Sequence, residues 1–99
     1  MVNQEELKRI LVSELNYTKA ETKAVISEVA ELEPQIQGAL VQWMETRKLP
    51  DLEIQGFTVD FLMQISDCTP ISALLTLDWL LKEPKVALAA IKEGCDRIL

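Results

Sequence analysis

The stretch Thr69-Pro70-Ile71-Ser72-Ala73-Leu74-Leu75-Thr76-Leu77-Asp78-Trp79-Leu80-Leu81-Lys82 decides the fold. It opens on a hydroxyl side chain that can cap a helix, followed by a proline, which suits the first helical position because its missing N–H is not needed there. Ile71, Ala73, Leu74, Leu75, Leu77, Trp79, Leu80 and Leu81 then cover most of the circumference of a helix over about residues 70–82. A helix that is apolar nearly all round is buried by neighbours on several sides, so this one is expected at the centre of an α-helical core, with Leu74, Leu75 and Leu81 in it.

Working back toward the start, Asn3 and Glu6 stand at capping-box spacing, and Leu7, Ile10, Leu11 and Leu15 recur at helical intervals, predicting a helix over about 4–15. Thr18 and Glu21 repeat the signal ahead of Val25, Val29 and Leu32, predicting a second helix that runs to about 32. Glu33-Pro34 ends it and starts a third, striped by Ile36, Leu40, Trp43 and Met44 and finishing near Arg47 or Lys48. Gly38, inside that helix, points to a close helix crossing, because glycine there costs up to about 1 kcal/mol against alanine.

Residues 49–57 break the helical period: Pro50 interrupts, Leu52 and Ile54 alternate with acids, and Gly56 offers a turn. They read as an extended linker with room for one short strand. Thr58 caps a fourth short helix, apolar on more than one side through Val59, Phe61, Leu62, Met63 and Ile65. After the central fifth helix, Glu83-Pro84 starts a sixth carrying Val86, Ala87, Ala90 and Ile91, with Gly94 placed to end it. The two Glu-Pro junctions lie 50 residues apart, with Ile36 matching Val86 and Ala39 matching Ala89, a weak sign of a duplicated helical hairpin. The expectation is an all-α fold: a compact bundle of five to six short helices with one extended linker near 49–57, forming a single helical domain over 1–99.

Composition agrees with this. At 99 residues, 48% hydrophobic and 26% charged, the chain resembles an ordinary globular domain and can bury roughly 65% of its unfolded surface without staples. Two cysteines, Cys68 and Cys95, are too few for a secreted disulfide scaffold and are read as reduced thiols. No apolar run approaches the ~20 residues that cross a bilayer, and the first residues do not form a leader, so a cytoplasmic location away from membranes is expected.

Charge is unevenly spread. Of ten basic and sixteen acidic side chains, residues 1–50 hold six and eight, residues 51–81 none and five, and residues 82–99 four and three. Because nucleic-acid affinity comes largely from basic groups displacing counterions, no nucleic-acid partner is expected. A small DNA-binding regulator with a helix-turn-helix-like element is the alternative reading; it needs a basic recognition helix, and only the sixth, with Lys82, Lys85, Lys92 and Arg97 around it, is even mildly basic.

Chemistry has little foothold. With no histidine, the usual general base and the commonest metal ligand are missing, and Cys68 and Cys95 lack metal-ligand spacing. No catalytic, cofactor-binding or metal residues are assigned, and neither enzymatic activity nor a cofactor is expected. A third reading, an enzyme using carboxylates and a metal ion, would draw on Asp51, Glu53, Asp60, Asp67 and Asp78, which come without local basic partners; their ordinary role is solvation and capping. Cys68, ahead of a helix start, is the one thiol that a dipole could activate, opposed by the charge of Asp67. The leading expectation is therefore a non-enzymatic protein-interaction or regulatory module, binding a protein partner or its own copy. Its candidate interface is Trp43, Met44, Leu52, Ile54 and Phe57, the large apolar residues around the linker.

Overall fold

The computed structural model describes the backbone of residues 2–98 and the side chains of residues 2–93. Its fold is all-α, with six helices and one two-stranded hairpin among the described residues. The chain gathers into two compact units, Met1–Lys48 and Leu49–Leu99.

The first unit holds α1 (Gln4–Ser13), α2 (Lys19–Val29) and α3 (Pro34–Thr46). The starts are fixed by local hydrogen bonds. Asn3 Oδ1 accepts the Glu6 N–H at 3.1 Å, and Thr18 and Glu21 form a reciprocal capping box at 3.0 and 3.1 Å. The stops come earlier than periodicity suggests. α1 ends at Ser13, and Asn16, in the left-handed region at φ 58°, turns the chain so that the Tyr17 N–H reaches the Leu11 carbonyl at 2.9 Å. α2 ends at Val29 because the next residues tighten: Glu31 and Leu32 donate to carbonyls only three residues back, and Glu33 is extended ahead of Pro34. Leu32 nonetheless stays buried, which is why it fits the helical stripe.

Leu7, Ile10, Leu11, Val25, Val29, Ile36, Leu40, Trp43 and Met44 are the large buried side chains of these three helices. Gly38 does not mark a crossing. It is exposed, and a Cβ built on it would meet no other atom within 4 Å. Gly38→Ala should therefore stabilise the protein by about 0.5–1 kcal/mol through helix propensity alone. Urea denaturation checks this, and a loss of stability would restore the close approach.

In the second unit, β1 (Glu53–Ile54) and β2 (Phe57–Thr58) pair antiparallel, Glu53 opposite Thr58 and Ile54 opposite Phe57. The expected linker is thus a tight hairpin. Gln55 and Gly56 both have positive φ, 54° and 84°, the mark of the two-residue turn whose twist matches that of the strands. Thr58 then caps α4 (Val59–Ser66) by accepting the Phe61 N–H at 3.1 Å, and Thr69 caps α5 (Pro70–Lys82) through the Ser72 N–H at 3.2 Å.

α5 packs against α4, β1 and α6 (Pro84–Ile98), the central place its composition predicts. Ile71, Ala73, Leu74, Leu77 and Leu80 are buried on it. Leu75 and Leu81, expected in the core, are only half-buried. Ser72, Leu75, Thr76 and Trp79 form an edge at helical spacing that the three neighbouring elements leave partly open. α6 continues past Gly94, which does not end it. The pairing of the two Glu-Pro junctions is not matched in burial: Ile36 is fully buried and Val86 is 55% exposed, while Ala87, beside it, is fully buried.

Candidate functional site

Thr58 joins β2 directly to α4, so Phe57 and Phe61, one helical turn apart in sequence, come to the same side of the second unit. Their ring centroids are 5.8 Å apart with planes inclined at 41°, within the range for an attractive aromatic pair. Phe57 is half-buried and Phe61 is 45% exposed. Together with Leu88, Ala89, Ile91 and Lys92 of α6 they line an open groove of about 540 Å³. The packing of α4 explains the exposure. Its buried residues are Val59 and Leu62, and Phe61 lies off that stripe, beside exposed Asp60 and Gln64.

The five residues read from the sequence as an interface are distributed unevenly. Trp43 (4% exposed), Met44 (9%) and Ile54 (7%) are buried, leaving little side-chain surface for a partner. Leu52 and Phe57 are half-buried. Phe57 alone of the five lines the α4–α6 groove, and it brings with it Phe61, which periodicity alone does not distinguish from the core residues around it. The sequence signal for Phe61 is its place one turn after Phe57 and off the Val59–Leu62 stripe.

Trp43 and Met44 instead surround an ionic clasp. Arg47, in the left-handed region at φ 60°, closes α3. Its Nε and Nη2 donate to the Glu14 carboxylate at 2.9 and 2.7 Å, its Nη1 donates to the Met44 carbonyl, and the guanidinium lies 5.3 Å from the Trp43 ring centroid. The hydrogen bonds from Arg47 hold the Glu14 carboxyl below its ordinary range, and those from Arg9 do the same for Glu6. These carboxylates are tied up as anions and unsuited to donating a proton near neutral pH. Because both folded pKa values are depressed, their stabilisation is complete above the unfolded carboxylate range, near about pH 4.3, and is lost as pH falls through the lowered values. Thermal melting from pH 7 down to about pH 2 should therefore show the midpoint falling below about pH 5, with a shallower fall in Glu14→Gln. An identical acid profile in that variant would remove the clasp from the stability of this unit.

The remaining candidates do not assemble into a reactive site. Among the described residues no three acidic or cysteine side chains come close enough to share a metal ion. Asp78, read as lacking a local basic partner, has one: its carboxylate sits 2.8 Å from Lys82 Nζ, one turn along α5. Asp60 accepts from Gln64 at 2.9 Å, and Asp67 closes α4 in the left-handed region rather than capping α5. The Cys68 thiol donates to the Leu62 carbonyl at 3.7 Å, and burial, reinforced by the charge of Asp67, pushes its pKa up, opposite to what an activated nucleophile needs. Cys95 lies outside the described side chains. No described helix is long and apolar enough to cross a membrane. Neither a protein-family model, nor a curated protein, nor a solved structure matches this chain.

Proposed function

We propose that the protein is a non-enzymatic interaction module whose docking face is the groove between α4 and α6, with Phe57 and Phe61 as its anchors. The observation that carries this reading is Phe61, a large aromatic residue 45% exposed beside a second ring, at the edge of an apolar groove. Burying such a side chain yields about 1.5–3 kcal/mol, and aromatic residues at the centre of a contact are where binding energy concentrates. Contiguous apolar surface of this kind marks interaction sites on folded domains.

The test is site-specific photo-cross-linking in the source cell, with a photoreactive amino acid at position 61 and a control at exposed Glu45, which does not line the groove. Position 61 should give a discrete cross-linked species that the control position does not give. Loss of that species with Phe57→Glu, while far-UV circular dichroism is unchanged, would assign it to the groove. Absence of any cross-linked species from position 61 would sink the reading.

A further inference from the structure

We infer that the groove between α1 and α2, in the first unit, is a docking surface for an acidic, amphipathic helical segment of a partner protein; the inference stands apart from the docking reading of Phe57 and Phe61. The groove has a volume of about 480 Å³, and its lining includes Lys8 and Val12 of α1 and Lys19, Lys23 and Ile26 of α2. Residues 8 and 12 are one turn apart, as are 19 and 23, and 23 and 26, so each helix offers a stripe of side chains along the groove. Val12 is 52% exposed, the one large apolar side chain of the first unit that is exposed among the described residues, and Ile26 on the facing helix is half-buried. Exposed Lys8, Lys19 and Lys23 flank this apolar strip, and their aliphatic stems extend it.

The lysines stand where the fold gains least from them. Lys19 is the first residue of α2, at the positive end of the helix dipole, where a basic side chain is unfavourable. Lys23 follows at i+4, and a like-charge pair at that spacing destabilises a helix in its own right. Their other neighbours at helical spacing, Ala20, Thr22, Ile26 and Ser27, carry no charge, and the Glu21 carboxylate already accepts the Thr18 N–H in the capping box. Neither Lys19 nor Lys23 forms an ion pair with a described residue, and Lys8 has only a 3.9 Å contact with Glu5. Three such cations around one groove, in a chain of net charge −6, run against the local preference of the helix and make carboxylates the complementary charge.

An apolar strip between cations selects an occupant whose apolar anchors are flanked by acids. Addition of a peptide to a sheet edge needs a strand, and the first unit has none among the described residues; two helices side by side instead offer the groove into which the apolar stripe of a third fits. From Lys19 to Ile26, α2 rises about 10 Å, so the occupant meets it over about two turns, with apolar anchors on Val12 and Ile26 and carboxylates against the lysines. Extended polyanions fit less well. Exposed Glu5, Glu21 and Glu28 stand on the same two helices, so a nucleic-acid backbone or an anionic bilayer that reaches past the groove meets like charge. Among its described lining residues the groove also has no arginine to fork onto a phosphate and no aromatic ring on which a base stacks.

An NMR titration of the whole, isotope-labelled chain tests this. The probe is a synthetic peptide of about 20 residues, long enough to hold a helix, with a leucine stripe at i, i+3, i+4 and i+7, glutamates on either side of it and alanines behind. Amide shifts should concentrate at residues 8–12 and 19–26 and saturate below about 1 mM peptide. Serine in place of the peptide's leucines should weaken binding about tenfold or more, as should a rise from low to high salt, and lysine in place of its glutamates should remove the shifts at these residues. The double variant Lys19→Glu/Lys23→Glu should lose the peptide while its melting temperature stays equal or rises, because acids suit the first turns of a helix; a purely structural role does not produce that split. If that variant fails to fold, Lys23→Gln and Val12→Ser replace it, with about tenfold weaker binding expected of each. Phe61→Glu should bind the peptide as the parent does.

No shift at those residues up to about 1 mM acidic peptide overturns the inference, as does equal binding by the double variant. Shifts centred on Phe57 and Phe61, and lost in Phe61→Glu, overturn it as well and leave the docking reading of the α4–α6 groove standing. Duplex DNA or phosphatidylserine vesicles that bind at residues 8–26 more tightly than the peptide, at the same salt, replace the acidic helix with a phosphate-bearing polyanion. Shifts there on raising the concentration of the chain alone give the groove to a second copy and discard the separate partner. The cross-link at position 61 reports on the other groove, so either reading can fail without the other.

Discussion

Leu74→Ala should lower the stability of the protein by about 3–5 kcal/mol, read as a shift of the urea midpoint with an unchanged slope. Leu74 is 1% exposed, on a helix whose neighbours are α4, α6 and β1. Truncation there loses the transfer free energy of the removed methyl groups and adds the cost of a cavity that helices on several sides cannot easily close. Leu75, the next residue, is the internal control. It is half-buried on the open edge of α5, so Leu75→Ala should cost only about 1–2 kcal/mol, the transfer part without an enclosed cavity. Leu74→Met, which nearly conserves volume, should stay within about 1.5 kcal/mol. Equal losses at positions 74 and 75 would show that the open edge is misplaced, and a loss below about 1 kcal/mol at Leu74 would remove α5 from the centre of its unit.

The contrast between those two leucines also shows what the sequence can and cannot convey. Helix starts are legible because they are made by residues three apart: Asn3 with Glu6, Thr18 with Glu21, Thr58 with Phe61 and Thr69 with Ser72 all form the hydrogen bonds that their spacing implies. Helix stops are legible where a proline follows, as at Glu83-Pro84, and less so where a residue enters the left-handed region; at Arg47 that conformation is accompanied by a pairing with Glu14, 33 positions away, that no local pattern reveals. The hairpin escapes for a different reason. Its strands are two residues long, too short to display alternation, and Gln-Gly lacks the asparagine or aspartate that usually announces such a turn. The candidate site is legible in part. Phe57 stands out as a large apolar residue in an irregular stretch. Phe61 sits in a helix apolar on most sides, and only the placement of α5 and α6 decides which side remains open.

Met44→Glu should destabilise the first unit by about 3–5 kcal/mol, whereas Phe61→Glu should change stability by less than about 1 kcal/mol, although both put the same charge in place of a large apolar side chain. Met44 is 9% exposed, so the substitution forfeits its apolar burial and also takes a carboxylate out of water. Arg47, three residues on, already holds Glu14, the Met44 carbonyl and the face of Trp43. Glu6 and Glu45 line the same shallow cleft as Met44, so a further carboxylate there meets like charges. Phe61, at 45% exposure, can turn a carboxylate into solvent without disturbing Val59 or Leu62. Met44→Leu separates packing from charge and should cost under about 1.5 kcal/mol. Urea denaturation followed by circular dichroism measures all three. A Met44→Glu protein as stable as its parent would place that side chain at the surface, and the edge of α3 would then compete with the α4–α6 groove as the docking face.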